Sequence, residues 1–267
     1  MIEISAALVK ELRELTGAGM MDCKRALVET GGDIEAARRL LRERGMAQAG
    51  KKAGRVTTEG KVGYRIAEEN RRGTMVAVGC ETEPVSNNED FLAFARKVLD
   101  VVDAEGAEAV EKLEEERIEL VTKLGENIAV LPPARFVAVD GGLVEGYSHA
   151  PANKFGALVQ LRGGSGELAK RVAMHVVASA PQWVSREDVP QEVVAAERDI
   201  YASSDEVLSK PEQAREKIVD GMLGKRFFAA QVLADQPWIH DTGKTVAQAL
   251  GEQGAEVLEF ERFALAG

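Results

Sequence analysis

The chain has 267 residues, 45% of them hydrophobic and 29% charged, a composition of soluble proteins and long enough for more than one domain. No run approaches the roughly 18 apolar residues of a membrane-spanning helix, and the start resembles neither a secretory signal nor an Arg-rich transit peptide, so neither membrane insertion nor export is expected. A formal net charge of −10 argues against a sequence-independent grip on nucleic acid, which depends on Lys and Arg displacing counterions from phosphates.

The first predicted element is a helix from Ile4 to Leu15, with Ile4, Leu8, Leu12 and Leu15 on one apolar stripe. Gly17 and Gly19 stop it, both free to take positive φ, and the string TGAGMMDCKRAL (Thr16 to Leu27) opens a second helix with the consecutive residues Met20 and Met21. Asp33 is placed to cap a third helix carrying Ile34, Ala37, Leu40 and Leu41. The two methionines either pack inside this three-helix module or form a flexible apolar knob for a partner, and adjacent helical residues cannot both face one core. Gly45 to Arg55 (GMAQAGKKAGR) reads as a solvated linker and hinge.

A weak internal repeat follows. Gly63-Tyr64 and Gly73 precede the strand-like TMVAVGC and a helix with Phe91, Phe94, Ala95 and Val98; Gly146-Tyr147 and Gly156 precede ALVQLRG and a helix with Leu168, Val172, Ala173 and Val176. The glycines stand ten residues apart in both copies, so each copy is predicted to be a hairpin feeding a helix. Glu126 to Val139 and Ala255 to Leu265 supply a closing strand to each half, the first interrupted by Pro132 and Pro133 at an edge or bulge. Between the second helix and its closing strand, Val193, Ile200 and Val207, and likewise Val194, Tyr201 and Leu208, recur every seven residues. Ser209-Lys210-Pro211 then breaks the pattern before a helix with Ile218 and Met222, which predicts a projecting antiparallel helical hairpin.

Chemistry is sparse. TGKT at Thr242 to Thr245 invites a phosphate-loop assignment, but the glycine that must stand five positions before the Gly-Lys pair is Trp238. Thr242 is instead expected to cap a helix with Val246 and Leu250, and GGSG at Gly163 to Gly166 to be a strand-to-helix turn. The only histidines, His149, His175 and His240, show no zinc spacing, and His175 is expected as a satisfied histidine at the edge of the core. Cys23 and Cys80, the only cysteines, are expected as small buried apolar residues in a reducing cytoplasm. Carboxylates such as Glu114-Glu115-Glu116 are expected on a solvated helix face, and nothing assembles an enzyme's nucleophilic set.

In order along the chain, TGAGMMDCKRAL, KKAGR (Lys51 to Arg55), VGCETEP (Val78 to Pro84), LGEN (Leu124 to Asn127), AMHVVAS (Ala173 to Ser179) and GKTVAQAL (Gly243 to Leu250) resemble the bacterial elongation factor Ts family over almost the whole length. The resemblance implies an α+β fold: a ubiquitin-associated-like three-helix domain and linker over 1–55, a core N-subdomain over 56–140, a core C-subdomain over 141–189 and 229–267, and a coiled-coil hairpin inserted at 190–228. It implies a cytoplasmic guanine nucleotide exchange factor for elongation factor Tu in translation elongation, not an enzyme, with no cofactor or metal of its own and no direct contact with nucleic acid or membrane. Arg13, Met20, Met21, Leu124 and Gly125 would meet the GTP-binding domain of Tu, and His149 would lie near its phosphate-binding loop.

In most bacterial relatives the segment Thr82-Glu83-Pro84 reads Thr-Asp-Phe, whose acid and ring enter a cleft in that domain and displace the elements that support magnesium and GDP. Here Glu83 keeps a carboxylate but Pro84 supplies no phenyl wedge, so either Val85 takes part of that contact or other surfaces carry more of it. The chain stops at Gly267 without the helical tail of some relatives, so contacts through such a tail are not expected. Both a homodimer and a Tu2Ts2 assembly are compatible with the family. A different class of function, a ubiquitin-associated-like adaptor that only scaffolds proteins, would leave the duplicated halves unused; an enzyme built on Glu83 and His149 is a distant third.

Overall fold

The computed structural model describes residues 4–67, 69–139 and 141–265; the predicted boundary residue Asp140 and the final residue Gly267 lie outside them. Three helices open the chain, α1 (Ala6–Thr16), α2 (Met20–Glu29) and α3 (Ile34–Lys52). Ser5 Oγ accepts from Leu8 N and Asp33 Oδ1 from Ala36 N, which caps α1 and α3. Val9, Leu12, Cys23, Ala26, Leu27, Ala37 and Leu41 form the core of this module. Two expectations fail locally. Leu15 is 53% exposed because the stripe turns out of the core in the last turn of α1; and only Gly17 takes positive φ (66°), whereas Gly19 at φ −59° is the N-cap of α2.

The expected hinge is also corrected. α3 runs on through Lys52, so 45–52 is helix. Its small residues serve packing: Ala49 joins the apolar cluster beneath the next sheet, and a Cβ on Gly45 would lie 2.5 Å from Thr122 Oγ1. A glycine in a helix usually costs stability relative to alanine; here it admits a neighbouring helix.

The first half begins with the antiparallel hairpin β1 (Glu59–Ala67) and β2 (Arg72–Cys80). The single-turn α4 (Glu83–Ser86), then α5 (Glu89–Glu105), a 3-10 segment (Ala107–Leu113) and α6 (Glu114–Leu124) follow. Two short strands, β3 (Ala129–Val130) and β4 (Ala134–Val137), then both pair with β2. Pro132 and Pro133 separate them at the edge of the sheet, as their missing N–H requires.

The second half repeats the plan with β5 (Gly142–Ser148), β6 (Phe155–Arg162) and α7 (Gly166–Ser179). The inserted segment holds α8 (Gln191–Ala202), α9 (Asp205–Leu208) and α10 (Glu212–Met222), which a π-helical stretch (Leu223–Phe228) and the turn α11 (Ala229–Gln231) continue. The heptad prediction is corrected here: the chain leaves the helix after Ala202 and restarts at Asp205, so Val193, Ile200 and Val207 do not share one helical face. Val207 is buried while Ile200 is 61% exposed. The small hairpin β7 (Pro237–Trp238) and β8 (Asp241–Thr245), then α12 (Val246–Gly251) and β9 (Glu256–Ala264), complete the fold. Thr245, not Thr242, caps α12: Thr242 is in β8, and Thr245 with Gln248 forms a capping box in which each side chain accepts from the other's backbone N–H.

β1, β2, β3 and β4 form one sheet and β5, β6 and β9 another. Alternation along the central strands decides how they stack. On β2, Val76, Val78 and Cys80 face α5 and α6 while Met75 and Ala77 face the second sheet; on β6, Ala157, Val159 and Leu161 face α7 and α12 while Leu158 faces the first. The α+β architecture is therefore helices, sheet, sheet, helices. Three of the four repeated glycines, Gly73, Gly146 and Gly156, bring the sheets together. A Cβ on Gly73 would lie 2.4 Å from Val144 Cγ1, one on Gly146 2.6 Å from Tyr64 Cδ2, and one on Gly156 2.6 Å from Val62 Cγ1.

Candidate functional site

Met20 and Met21 lie in the first turn of α2. Cys23, Ala26 and Leu27 of the same helix go to the module core; Met21 lies across the helix from them and Met20 at the border of their stripe, and the methionines are 46% (Met20) and 60% (Met21) exposed. Exposed Leu15 lies close by in sequence, and Arg13, two residues earlier on α1, is exposed as well. The left-handed turn at Gly17 rests on α6: a Cβ there would come within 3.2 Å of Lys123 Cδ. Lys123 Nζ in turn pairs with Asp90 at 2.8 Å, at the start of α5.

The loop after β2 is short and well determined by its bonds. Thr82 is extended, α4 starts at Glu83, and Pro84 falls in the first turn, where its missing N–H costs nothing and its fixed φ suits the helix. Pro84 thus stiffens the turn. Asn87 N and Ser86 Oγ donate to Glu83 O at 3.2 and 2.8 Å. Glu83 and Pro84 are exposed, whereas Val85 is half-buried against the cluster of Val76, Val78 and Phe91. Among the described residues the Glu83 carboxylate has no hydrogen-bond or ion-pair partner.

Leu124 and Gly125 end α6. Leu124 is half-buried in the same cluster, and exposed Gly125 takes the left-handed conformation (φ 78°) that closes the helix. The next residue joins this corner to the loop: Glu126 accepts from Thr82 N at 3.0 Å and Thr82 Oγ1 at 2.6 Å.

His149 lies in the turn between β5 and β6, exposed, with its Nδ1 2.8 Å from the Tyr147 hydroxyl. Asn153 N donates to His149 O, and Val62 N to Asn153 O, so this turn is fastened to β1. Lys61 Nζ spans the remaining gap, donating to Asn87 Oδ1 at 3.1 Å and to Ala152 O at 3.3 Å. A chain of contacts therefore runs from Gly17, before the methionine pair, through Lys123 to the end of α6, and through Glu126, Thr82, Asn87 and Lys61 to the His149 turn.

Sequence reasoning missed Lys61, Asn87, Lys123 and Glu126. Glu126 carried a signal inside LGEN and Asn87 inside the loop CETEPVSNNEDF (Cys80 to Phe91) that follows the first repeat's strand; Lys61 and Lys123 have no local pattern that marks them.

Elsewhere the side chains are built for packing. The Cys80 thiol is buried and pushed up to about 12, chiefly by burial, so it is not a thiolate at neutral pH. Lys244 of TGKT pairs with Glu252 at 2.7 Å from within β8, and Trp238 is buried. Among the described residues no group of three or more His, Cys, Asp or Glu side chains is placed to hold a metal ion, and no helix is long and apolar enough to cross a membrane.

His175 is fully buried, deeper than the core's edge. It lies 2.9 Å from Gln236 Oε1, accepts from Ile239 N at 3.3 Å and stacks on Trp238 with ring centroids 5.2 Å apart. Burial holds its pKa below the ordinary 6.5, against the hydrogen bond with Gln236, and nearby His240 lowers it further. A depressed pKa in the folded state means that the unfolded chain takes up the proton first, so this contribution to stability is intact above pH 6.5 and lost as pH falls. Urea midpoints are expected to be level above neutrality and to decline from about pH 6.5 toward about pH 5, and to decline less in His175→Gln. An equal decline in both proteins would place the titrating group elsewhere.

A family model described as elongation factor TS matches residues 81–267. The chain is 41% identical to elongation factor Ts of Methylococcus capsulatus over 98% of its own length and 92% of that protein. It is 43% identical to that of Thioalkalivibrio sulfidiphilus over 97% and 91%, and 43% identical to that of Escherichia coli O139:H28 over 98% and 92%.

Proposed function

Because this chain belongs to the elongation factor Ts family, a family of translation elongation factors, we propose that it is a guanine nucleotide exchange factor for elongation factor Tu. The observation that supports the proposal is the chain of contacts just traced, which ties the turn before exposed Met20 and Met21, the Glu83–Pro84 turn, the Leu124–Gly125 corner and the His149 turn to one sheet-backed core. An adaptor that only scaffolds proteins needs one sticky patch. An exchanger needs several contacts held at fixed spacing, so that engaging all of them forces the partner out of its GDP-binding shape.

The energetics follow from reciprocity. A factor that binds nucleotide-free Tu more tightly than Tu–GDP must weaken GDP by the same factor, and rebinding of GTP releases it. Bond-making chemistry is not required. In this role the unpartnered Glu83 carboxylate enters the partner beside the magnesium and phosphate site, on a turn that Pro84 stiffens. With Val85 half-buried and no aromatic ring at Pro84, the apolar share of the contact falls to Met20 and Met21.

The division into 1–55 as a ubiquitin-associated-like module, 56–140, 141–189 with 229–267, and the 190–228 projection is part of the same proposal. So are a cytoplasmic site of action and the absence of a cofactor, of nucleic-acid contact and of membrane contact.

The test is the release of fluorescent GDP from purified Tu, timed with and without this chain. The parent is expected to accelerate it strongly, and Glu83→Ala about tenfold less than the parent, the usual scale for losing one charged contact. An unchanged rate with the parent would sink the exchange role. Equal rates for Glu83→Ala and the parent would move the working element away from the loop.

A further inference from the structure

Two carboxylates cross over between the end of β2 and the end of α6. Glu126 accepts from Glu81 N at 3.0 Å, Thr82 N at 3.0 Å and Thr82 Oγ1 at 2.6 Å. In the opposite direction Glu81 Oε1 accepts from Asn127 N at 2.7 Å and from Arg55 Nη1 at 3.3 Å. Asn127, 3% exposed, donates from Nδ2 to Arg55 O at 2.9 Å, and Lys52 Nζ donates to Gly125 O at 2.7 Å. The chain leaving α3, the chain leaving β2 and the chain leaving α6 are knotted at one point.

We propose that Glu126 is the positioning residue of the exchange loop. It fixes Glu81 and Thr82 so that the turn bearing Glu83 and Pro84 and the Leu124–Gly125 corner meet the partner as one rigid body. This rests on the exchange role argued above. The need for such a clamp is physical. A four-residue helix has too few internal bonds to hold itself, and the Thr82 side chain that would ordinarily cap α4 makes no cap bond; its hydroxyl donates to Glu126 instead. The direction of the turn is thus set from α6. A loop left free would have to be ordered on binding, at the expense of the contact it makes.

The geometry separates reach from charge. Oε2 of Glu126 takes the two amides and Oε1 the hydroxyl. Glutamine can repeat this, its carbonyl oxygen toward the amides and its amino group toward a hydroxyl turned to accept. Aspartate keeps the charge but is shorter by one carbon–carbon bond, about 1.5 Å, and falls out of hydrogen-bond range.

The experiment measures fluorescent GDP release from Tu against chain concentration for the parent, Glu126→Gln and Glu126→Asp, together with amide hydrogen exchange at Glu81 and Thr82 in each free chain. Glu126→Gln is expected to keep the parent's maximal rate. Glu126→Asp is expected to lose about tenfold in that rate, with faster amide exchange at both positions in this variant only. A parental rate in Glu126→Asp overturns the proposal, and so does a loss in Glu126→Gln, whatever Glu126→Asp does. If the parent itself leaves GDP release unchanged, the exchange role fails. Amide exchange then still decides the clamp, faster exchange in Glu126→Asp upholding it and unaltered protection overturning it.

Discussion

A chain carrying Met20→Ala and Met21→Ala is expected to leave elongation factor Tu about a hundredfold sooner than the parent, with its association rate changed far less. Each truncation removes most of a flexible apolar side chain, worth about 1 to 1.5 kcal/mol if half of it is covered by the partner, and two such losses give the hundredfold. The folded chain should not notice. Both residues are at least 46% exposed, and the part of the module core that α2 supplies is Cys23, Ala26 and Leu27, which are buried without them. Stopped-flow dissociation and urea unfolding on the same protein separate the outcomes. Parental dissociation with a lowered urea midpoint would return the methionines to the module's own packing and leave the loop as the principal contact.

The second large effect concerns the sheet interface. Gly73→Ala is expected to destabilise the chain by about 3 kcal/mol, the upper part of the range for overpacking a core. Its new methyl would lie 2.4 Å from Val144 Cγ1 and 2.9 Å from Leu158 Cδ1, both on buried residues, and Val144 is β-branched with little freedom to turn aside. Gly63→Ala is the matched control. It changes another glycine of the same hairpin, yet the nearest atom to its methyl would be Leu99 Cδ2 at 3.8 Å, an ordinary contact, and the cost should stay under about 1 kcal/mol. Equal urea midpoints for the two variants would mean that the sheets can separate to admit a methyl group. The two glycines are then not distinguished by their surroundings.

Much of the architecture is written locally and can be read there. Ser165 accepting from Leu168 N opens α7 at GGSG, Asp33 opens α3, and the near-continuous apolar runs in TMVAVGC and ALVQLRG mark two strands buried on both faces. These are interactions within a few residues, so periodicity and cap chemistry find them. The errors come from places where a distant neighbour outweighs the local pattern. Gly45 to Lys52 reads as linker because of its small and basic residues, but α6 approaches there and needs a helix with no Cβ at Gly45. Thr242 reads as the cap from local sequence, but pairing of β8 with β7 places the helix start at Thr245.

The candidate site divides in the same way. TGAGMMDCKRAL, the Thr82 to Val85 loop and LGEN are legible as segments, by their residues and by family resemblance. Whether they share a surface is not, because the bonds that join them reach from Thr82 to Glu126 and from Lys61 to Ala152, positions with no relation in the one-dimensional pattern. The sequence alone settles the opening helices, the central strands, the repeat of two hairpins and the family, since those rest on short-range propensity and matching motifs. Tertiary structure alone decides that the two glycine-lined sheets stack, since only a three-dimensional packing problem selects which distant groups lie within bonding distance. It likewise decides that the methionine turn, the Glu83 turn and the His149 turn are carried along one continuous chain of contacts.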